Sequence, residues 1–424
     1  MKILVVSNLF PPDFVGGYEV GCRQAVAGLR RRGHEVRVLT SAPRLPVPRA
    51  NGIFREFRLT DLSNPFCMAR CPADVVDAHE IASHLIDAGN VHVLARAVEE
   101  FRPDVCYVWN LIGLGGLGLM ACLLQLRVPW VWHFMDAVPL TLCSRRRQFV
   151  PPLARLFERL LAGEYLACSR RLVAEIETGG IHLPGRVEIV PNWISGQRPP
   201  PRSRYYRGGS LRIVSAGQIG RHKGVDIIIE AAGQLRRAGY ENFSVDVYGK
   251  LTDPCFPERI AALNLSDHVT LQGPRQPEAL QALYRQHDHD VFAFPTWERE
   301  PFAFAPMEAA AHGCVPILSE RCGNADWFIH GFDCLKIRRT PEALAACLSD
   351  ILTGKVALEP IGRRAESVLW RDFHLDNMLP RIEAALQRTA RQPRRAGRPA
   401  REIYQIALLA EKFAAVAGKQ PCAA

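Results

Sequence analysis

What most constrains this chain is one grammar of strand, loop, helix and strand that is written twice. Residues 2–10, KILVVSNLF, form an apolar run suited to a buried strand. A glycine-containing loop follows, then the helical stretch YEVGCRQAVAGLRRRG (18–33) and a second strand, HEVRVLT (34–40). In the second half LRIVSAG (211–217), QIGRHKG (218–224), VDIIIEAAGQLRRAG (225–239) and FSVDVYG (243–249) repeat the order. A βαβ unit implies parallel strands, because the helix carries the chain back to the starting edge. The endings LRRRG and LRRAG obey the same end-of-helix chemistry: arginines for the dipole and glycine for the left-handed stop. Two doubly wound α/β domains are therefore expected, with ligands at the carboxyl ends of their strands, in a cleft between the domains.

The stretch GQRPPPRSRYYRGGS (196–210) has no apolar period and reads as the linker. The expected division is a first domain at 1–195, a linker at 196–210, a second domain at 211–370, a return helix at 371–388, and a basic tail with an amphipathic helix at 389–424. From the last residue of the return helix into that tail, Arg388, Arg391, Arg394, Arg395, Arg398 and Arg401 precede Ile403, Ile406, Leu409, Phe413 and Val416 at helical spacing. Such a segment suits peripheral contact with an anionic membrane, or docking on protein.

The stretch TWEREPFAFAPMEAAAHGCVP (296–316) places Glu298, Glu300 and Glu308 among apolar residues. Carboxylates are rarely buried without partners. Pro306 suits a helix start and Gly313 its stop, so a helix is expected from Pro306 to His312 with Glu300 in the loop before it. Its N-terminus would offer an anion site. Arg221, His222 and Lys223 crowd the start of another helix, against the positive end of its dipole, which makes sense where an anion such as a diphosphate docks.

These pieces resemble a family 4 glycosyltransferase of the GT-B fold. The family's paired glutamates match Glu300 and Glu308, eight positions apart, and its loop G-R-x-x-x-x-K-G matches Gly217 to Gly224 with Lys223 in the lysine place. FPPDFVGGYE (10–19) resembles the family's first loop with its glycine pair Gly16 and Gly17. PWVWHF (129–134) resembles the strand ending in the donor-facing histidine, His133, and VPNWI (190–194) the segment closing the first domain. The resemblance covers about residues 1–388 and implies a retaining, metal-independent transfer from a nucleotide-diphospho-sugar to a glycan, lipid-linked or small-molecule acceptor. No cofactor is implied. The first domain would face the acceptor and the second would bind the donor. Lys223 would hold the diphosphate, Glu308 the ribose hydroxyls, and Glu300 and His133 the donor sugar. Phe302, Ala303 and Phe304 would supply backbone N–H groups, while Gly16, Gly17 and Gly217 would line the site by close approach. The family's arginine is replaced by Gln218, which donates without charge, and Arg221 stands three positions on to replace it. A sugar-nucleotide epimerase of similar fold and a weakly catalytic partner subunit remain as alternatives.

Other chemistries fare worse. The excess of 53 basic over 43 acidic residues, +10, fits an anionic ligand, a membrane surface or nucleic acid, but no nucleic-acid recognition motif is present. The first strand is not followed by G-x-G-x-x-G, which argues against NAD. The D-x-D within HDHD (287–290) sits directly before an apolar strand and reads as a polar turn. Cys67 and Cys71 make half a metal site with no answering pair. Thirteen scattered cysteines and the lack of a secretory signal point to reduced thiols and a cytoplasmic location, at most peripheral at the inner membrane face. The apolar run 111–126 is short for a membrane span and reads as a glycine-rich loop entering a buried helix.

Overall fold

The computed structural model describes residues 1–43, 46–47, 50–60, 83–143, 163–286 and 288–392. Cys67, Cys71, His287 and the tail from residue 393 lie outside the described residues. Two compact units emerge, Met1–Val190 with Leu379–Ala424, and Pro191–Met378.

The first unit holds a parallel sheet of seven strands: β1 (Lys2–Val6), β2 (Glu35–Ser41), β3 (Ile53–Phe57), β4 (Val105–Val108), β5 (Trp130–Phe134), β6 (Glu164–Ala167) and β7 (Arg186–Ile189), in the order β3-β2-β1-β4-β5-β6-β7. The second holds six parallel strands: β8 (Leu211–Ala216), β9 (Phe243–Tyr248), β10 (Val269–Gly273), β11 (Val291–Phe294), β12 (Val315–Ser319) and β13 (Leu335–Ile337), ordered β10-β9-β8-β11-β12-β13. The inner strands β4, β5, β6, β11 and β12 are buried at every position. That burial on both faces explains why the sequence shows continuous apolar runs there instead of alternation. In each sheet the strand order reverses at one point, between β1 and β4 and between β8 and β11, where Ile3 pairs with Val105 and Ile213 with Val291. The loops leaving β8 and β11 therefore emerge side by side.

The expected helices form as Gly17–Arg31 and Val225–Arg237, and the glycine-rich run becomes a turn and the buried helix Gly116–Gln125. No helix among the described residues is long and apolar enough to cross a membrane.

The structure corrects the reading of the linker. The chain passes between units at Val190–Pro191, and the stretch 196–210 belongs to the second unit. Arg202 is 1% exposed. Its Nη1 donates to the His289 carbonyl at 2.6 Å and its Nη2 to Asp290 Oδ1 at 3.1 Å, with the guanidinium over the Tyr205 ring. A buried guanidinium requires a set of acceptors, and here His289 and Asp290 of HDHD supply them together with the Arg204 carbonyl, which accepts from Nε; Asp290 also accepts, through its other oxygen, from the Arg212 amide. Proline, glycine and arginine content alone could not reveal an anchored arginine.

The return helix is also redrawn. One helix ends at Asp372, and the next runs Leu375–Ala390 through the second crossing at Met378–Leu379. Arg388, the first arginine of the basic run, pairs with Glu164 and Glu188, while Thr389 donates to Glu164 at 2.7 Å.

Candidate active site

The candidate site grows from the ends of β8 and β11. Beyond β8, Gly217 adopts φ +147° and Gly224 φ +79°. Gly224 is required twice over, since it is left-handed and a Cβ there would lie 2.0 Å from the Pro295 carbonyl oxygen. Between them Arg221–Lys223 form a single 3-10 turn. Beyond β11, the segment from Trp297 to Phe304 has no regular structure, and two bonds to the His222 carbonyl tie its start to that turn, from Thr296 Oγ1 and Trp297 N–H, both at 3.0 Å.

Within this frame Lys223 Nζ donates to Glu300 Oε2, joining residues 77 positions apart. The lysine also lies over the Phe294 ring, and Glu300 is 7% exposed. A buried carboxylate therefore has the ammonium it needs. Arg221 does not join them. A 3-10 turn sends residues two positions apart to different sides, and Arg221 instead donates through Nε to Asp253 Oδ2 at 2.9 Å on an exposed surface. The expected substitution of Arg221 for the missing family arginine is not what the structure places there. Gln218 is half-buried and Gly217 exposed.

Glu308 occupies other surroundings. Burial pushes its carboxyl up to about 7, partly offset by a hydrogen bond from the Gln281 side chain, with the Glu278 charge adding to the rise. Its helix is Ala305–Ala310, shorter at its C-terminal end than expected, and six residues develop only part of a macrodipole. The helix-end anion site expected here is thus a weak one. Ala303 is corrected as well, because its N–H is already given to Asn324 Oδ1 at 2.8 Å. Phe302 is buried, its ring stacked on Phe373, and Phe304 packs edge-on against Trp193.

In the first unit, Gly16 and Gly17 are exposed at the start of their helix. The Gly16 N–H donates to the buried Glu19 carboxylate at 3.1 Å. Its backbone is extended, and a Cβ there would meet nothing within 4 Å. The fold itself does not demand glycine at 16. His133 is fully buried, which the sequence reading did not anticipate for a donor contact. Nδ1 lies 2.7 Å from the Tyr107 hydroxyl, Trp109 packs at 4.8 Å, and burial holds the imidazole down to about 3, so it is neutral at neutral pH. An enclosed ring has no open face for a sugar.

The matching family models carry these elements. Residues 16–193 match the glycosyl transferase 4-like domain and residues 205–368 match glycosyl transferases group 1. This chain is a family 4-type glycosyltransferase of the GT-B fold. It is 24% identical over 421 residues to a glycogen synthase of Mycobacterium tuberculosis, covering 93% of this chain and 97% of that one. It is 29% identical over 398 residues to an uncharacterized glycosyltransferase of Methanocaldococcus jannaschii, covering 89% and 96%. Among solved structures it resembles a sucrose-phosphate synthase from Thermosynechococcus elongatus, with a TM-score of 0.69, 16% identity and coverage of 91% and 98%. It also resembles Anabaena HepE in complex with UDP and glucose, with 0.63, 16%, 91% and 99%. At such identity the structural likeness speaks for the fold.

The glycosyltransferase also uses residues that sequence reasoning missed. Asn192 and Asn324, both buried, bond the backbone of the 300–304 loop, and Asp253 captures Arg221. Asn192 lay in a recognised segment, VPNWI. Nothing in the local pattern of Asn324 or Asp253 announced a long-range partner.

Proposed function

We propose that this glycosyltransferase moves a sugar, with retention of anomeric configuration, from a nucleotide-diphospho-sugar to a glycan or lipid-linked acceptor. The observation that carries this reading is the Lys223–Glu300 pair at the ends of neighbouring strands. The ammonium and carboxylate neutralise one another in the free protein. A sugar diphosphate matches both, with phosphate oxygens for Lys223 and sugar hydroxyls for Glu300. As the glycosidic bond to phosphate breaks, negative charge grows on the leaving diphosphate, and a preorganised ammonium stabilises that charge more than it stabilised the ground state. The leaving phosphate then accepts the acceptor proton on the same face. Glu308 accepts hydroxyl hydrogen bonds from the ribose. Gly16 leaves open space for a ligand where the fold needs no glycine. Anabaena HepE, a structural neighbour, is recorded with UDP-glucose, which makes UDP sugars the first donors to try.

The test is a thermal-shift panel of UDP, GDP, ADP and TDP sugars, followed by transfer assays with NMR assignment of the product anomer. A ligand at a hundred times its Kd stabilises by about 2.7 kcal/mol. Binding and retained configuration are expected. No shift with any nucleotide, or epimerisation of the donor without an acceptor, would overturn the proposal.

A further inference from the structure

The loop that presents Glu300 has no hydrogen-bonding ladder of its own, yet its carbonyls are held one by one. Ser319 Oγ donates to Thr296 O at 2.8 Å, Gly323 N–H to Glu300 O at 2.8 Å, Asn192 Nδ2 to Phe302 O at 2.6 Å, and Asn324 Nδ2 to Ala303 O at 2.9 Å. Asn324 also accepts from the Ala303 N–H, so its side-chain amide pairs with one residue's backbone at both ends, as a neighbouring strand would. It is 0% exposed. Gly323 permits the approach, because a Cβ there would lie 1.6 Å from Pro301 O. A buried amide with both ends engaged on a single residue holds the two peptide groups that flank its Cα in place.

We infer that Asn324 is a positioning residue whose amide, seated on Gly323, templates the Glu300–Ala303 backbone and so aims the Glu300 carboxylate. The catalytic consequence rests on the donor reading above; the template itself does not. Misplacing a catalytic group by about 1 Å costs on the order of 100-fold in rate.

The decisive variants are Asn324→Asp and Asn324→Ala. An ionised aspartate sets an oxygen against Ala303 O. A protonated one restores the original pattern, with its hydroxyl donating to Ala303 O and its carbonyl accepting from Ala303 N–H. Burial favours the protonated form as pH falls. Relative to wild type, kcat of Asn324→Asp should drop about 100-fold at pH 8 and recover to within about 10-fold near pH 5.5. Asn324→Ala should show a similar loss without recovery, and the KM for donor should change far less than kcat. Hydrogen exchange in the ligand-free protein should speed at the Ala303 amide in Asn324→Ala while β8 and β11 stay protected. A pH profile of Asn324→Asp parallel to wild type, or unchanged exchange at Ala303, overturns the inference. If wild type binds no nucleotide sugar, the donor reading fails, and exchange at Ala303 still decides the template.

Discussion

Replacing Glu308 by glutamine should make the protein more stable and less able to bind its donor, and the two effects should separate by pH. Burial holds this carboxyl up to about 7, against an ordinary value of 4.5. The folded state therefore keeps a proton that the unfolded chain has lost, and stability falls as pH rises between the two values. Below about pH 4.5 both states are protonated and nothing is lost; above about pH 7 the penalty is complete. A shift of about 2.5 units at 1.36 kcal/mol each sets an upper bound of about 3 kcal/mol. The residue keeps some solvent contact, and screening brings the expectation to about 1–2 kcal/mol. For a unit of this size that corresponds to about 2–8 °C in Tm. Thermal or urea melts of wild type and Glu308→Gln across pH 4.5–8.5 provide the assay. The curves should meet at the acid end, separate through the interval and run parallel above pH 7.5, with the variant higher. Donor binding gives the complementary reading. Ribose hydroxyls that donate to the carboxylate favour its charged form, so binding near pH 6.5 should release a proton and tighten as pH rises towards 7. A stability difference that is constant with pH would refute the assignment of a raised carboxyl to Glu308.

Lys223→Ala should lower kcat/KM by about 100- to 1000-fold, and in a double-mutant cycle with Glu300→Gln the losses should fall well short of adding, because the two groups act as one pair; additive losses would argue against coupling. Gly16→Ala should leave Tm within about 1 °C of wild type, since its Cβ meets no protein atom, while lowering kcat/KM; full activity would remove Gly16 from the ligand's path. Arg202→Met takes from the buried Asp290 carboxylate one of its two arginine partners, Arg212 remaining, and should cost about 2–3 kcal/mol in a urea melt, where a freely exposed linker arginine would cost less than about 0.5 kcal/mol.

Much of the site was legible because its markers are local. A basic run at the start of a helix, a loop bracketed by glycines, and a glutamate eight residues before another are properties of neighbouring residues, and with the family resemblance they point to Lys223 and Glu300 as candidates without coordinates. Ion-pair partners were not legible. Arg221 reads as a phosphate ligand, and the structure gives it to Asp253, 32 positions away; Arg388 opens a basic run, and the structure ties it to Glu164. His133 lies at its strand end as expected, but its enclosure depends on Tyr107 in β4 and Trp109 just beyond it.

The sequence by itself determined the two parallel sheets, because a strand followed by a returning helix admits few other arrangements and the buried runs declare which strands lie inside. Tertiary structure alone decided which charges meet. Side-chain partners are chosen by strand order and crossing loops, and these bring Lys223 to Glu300, Arg202 to Asp290 and Asn324 to Ala303 across distances that no local spacing encodes.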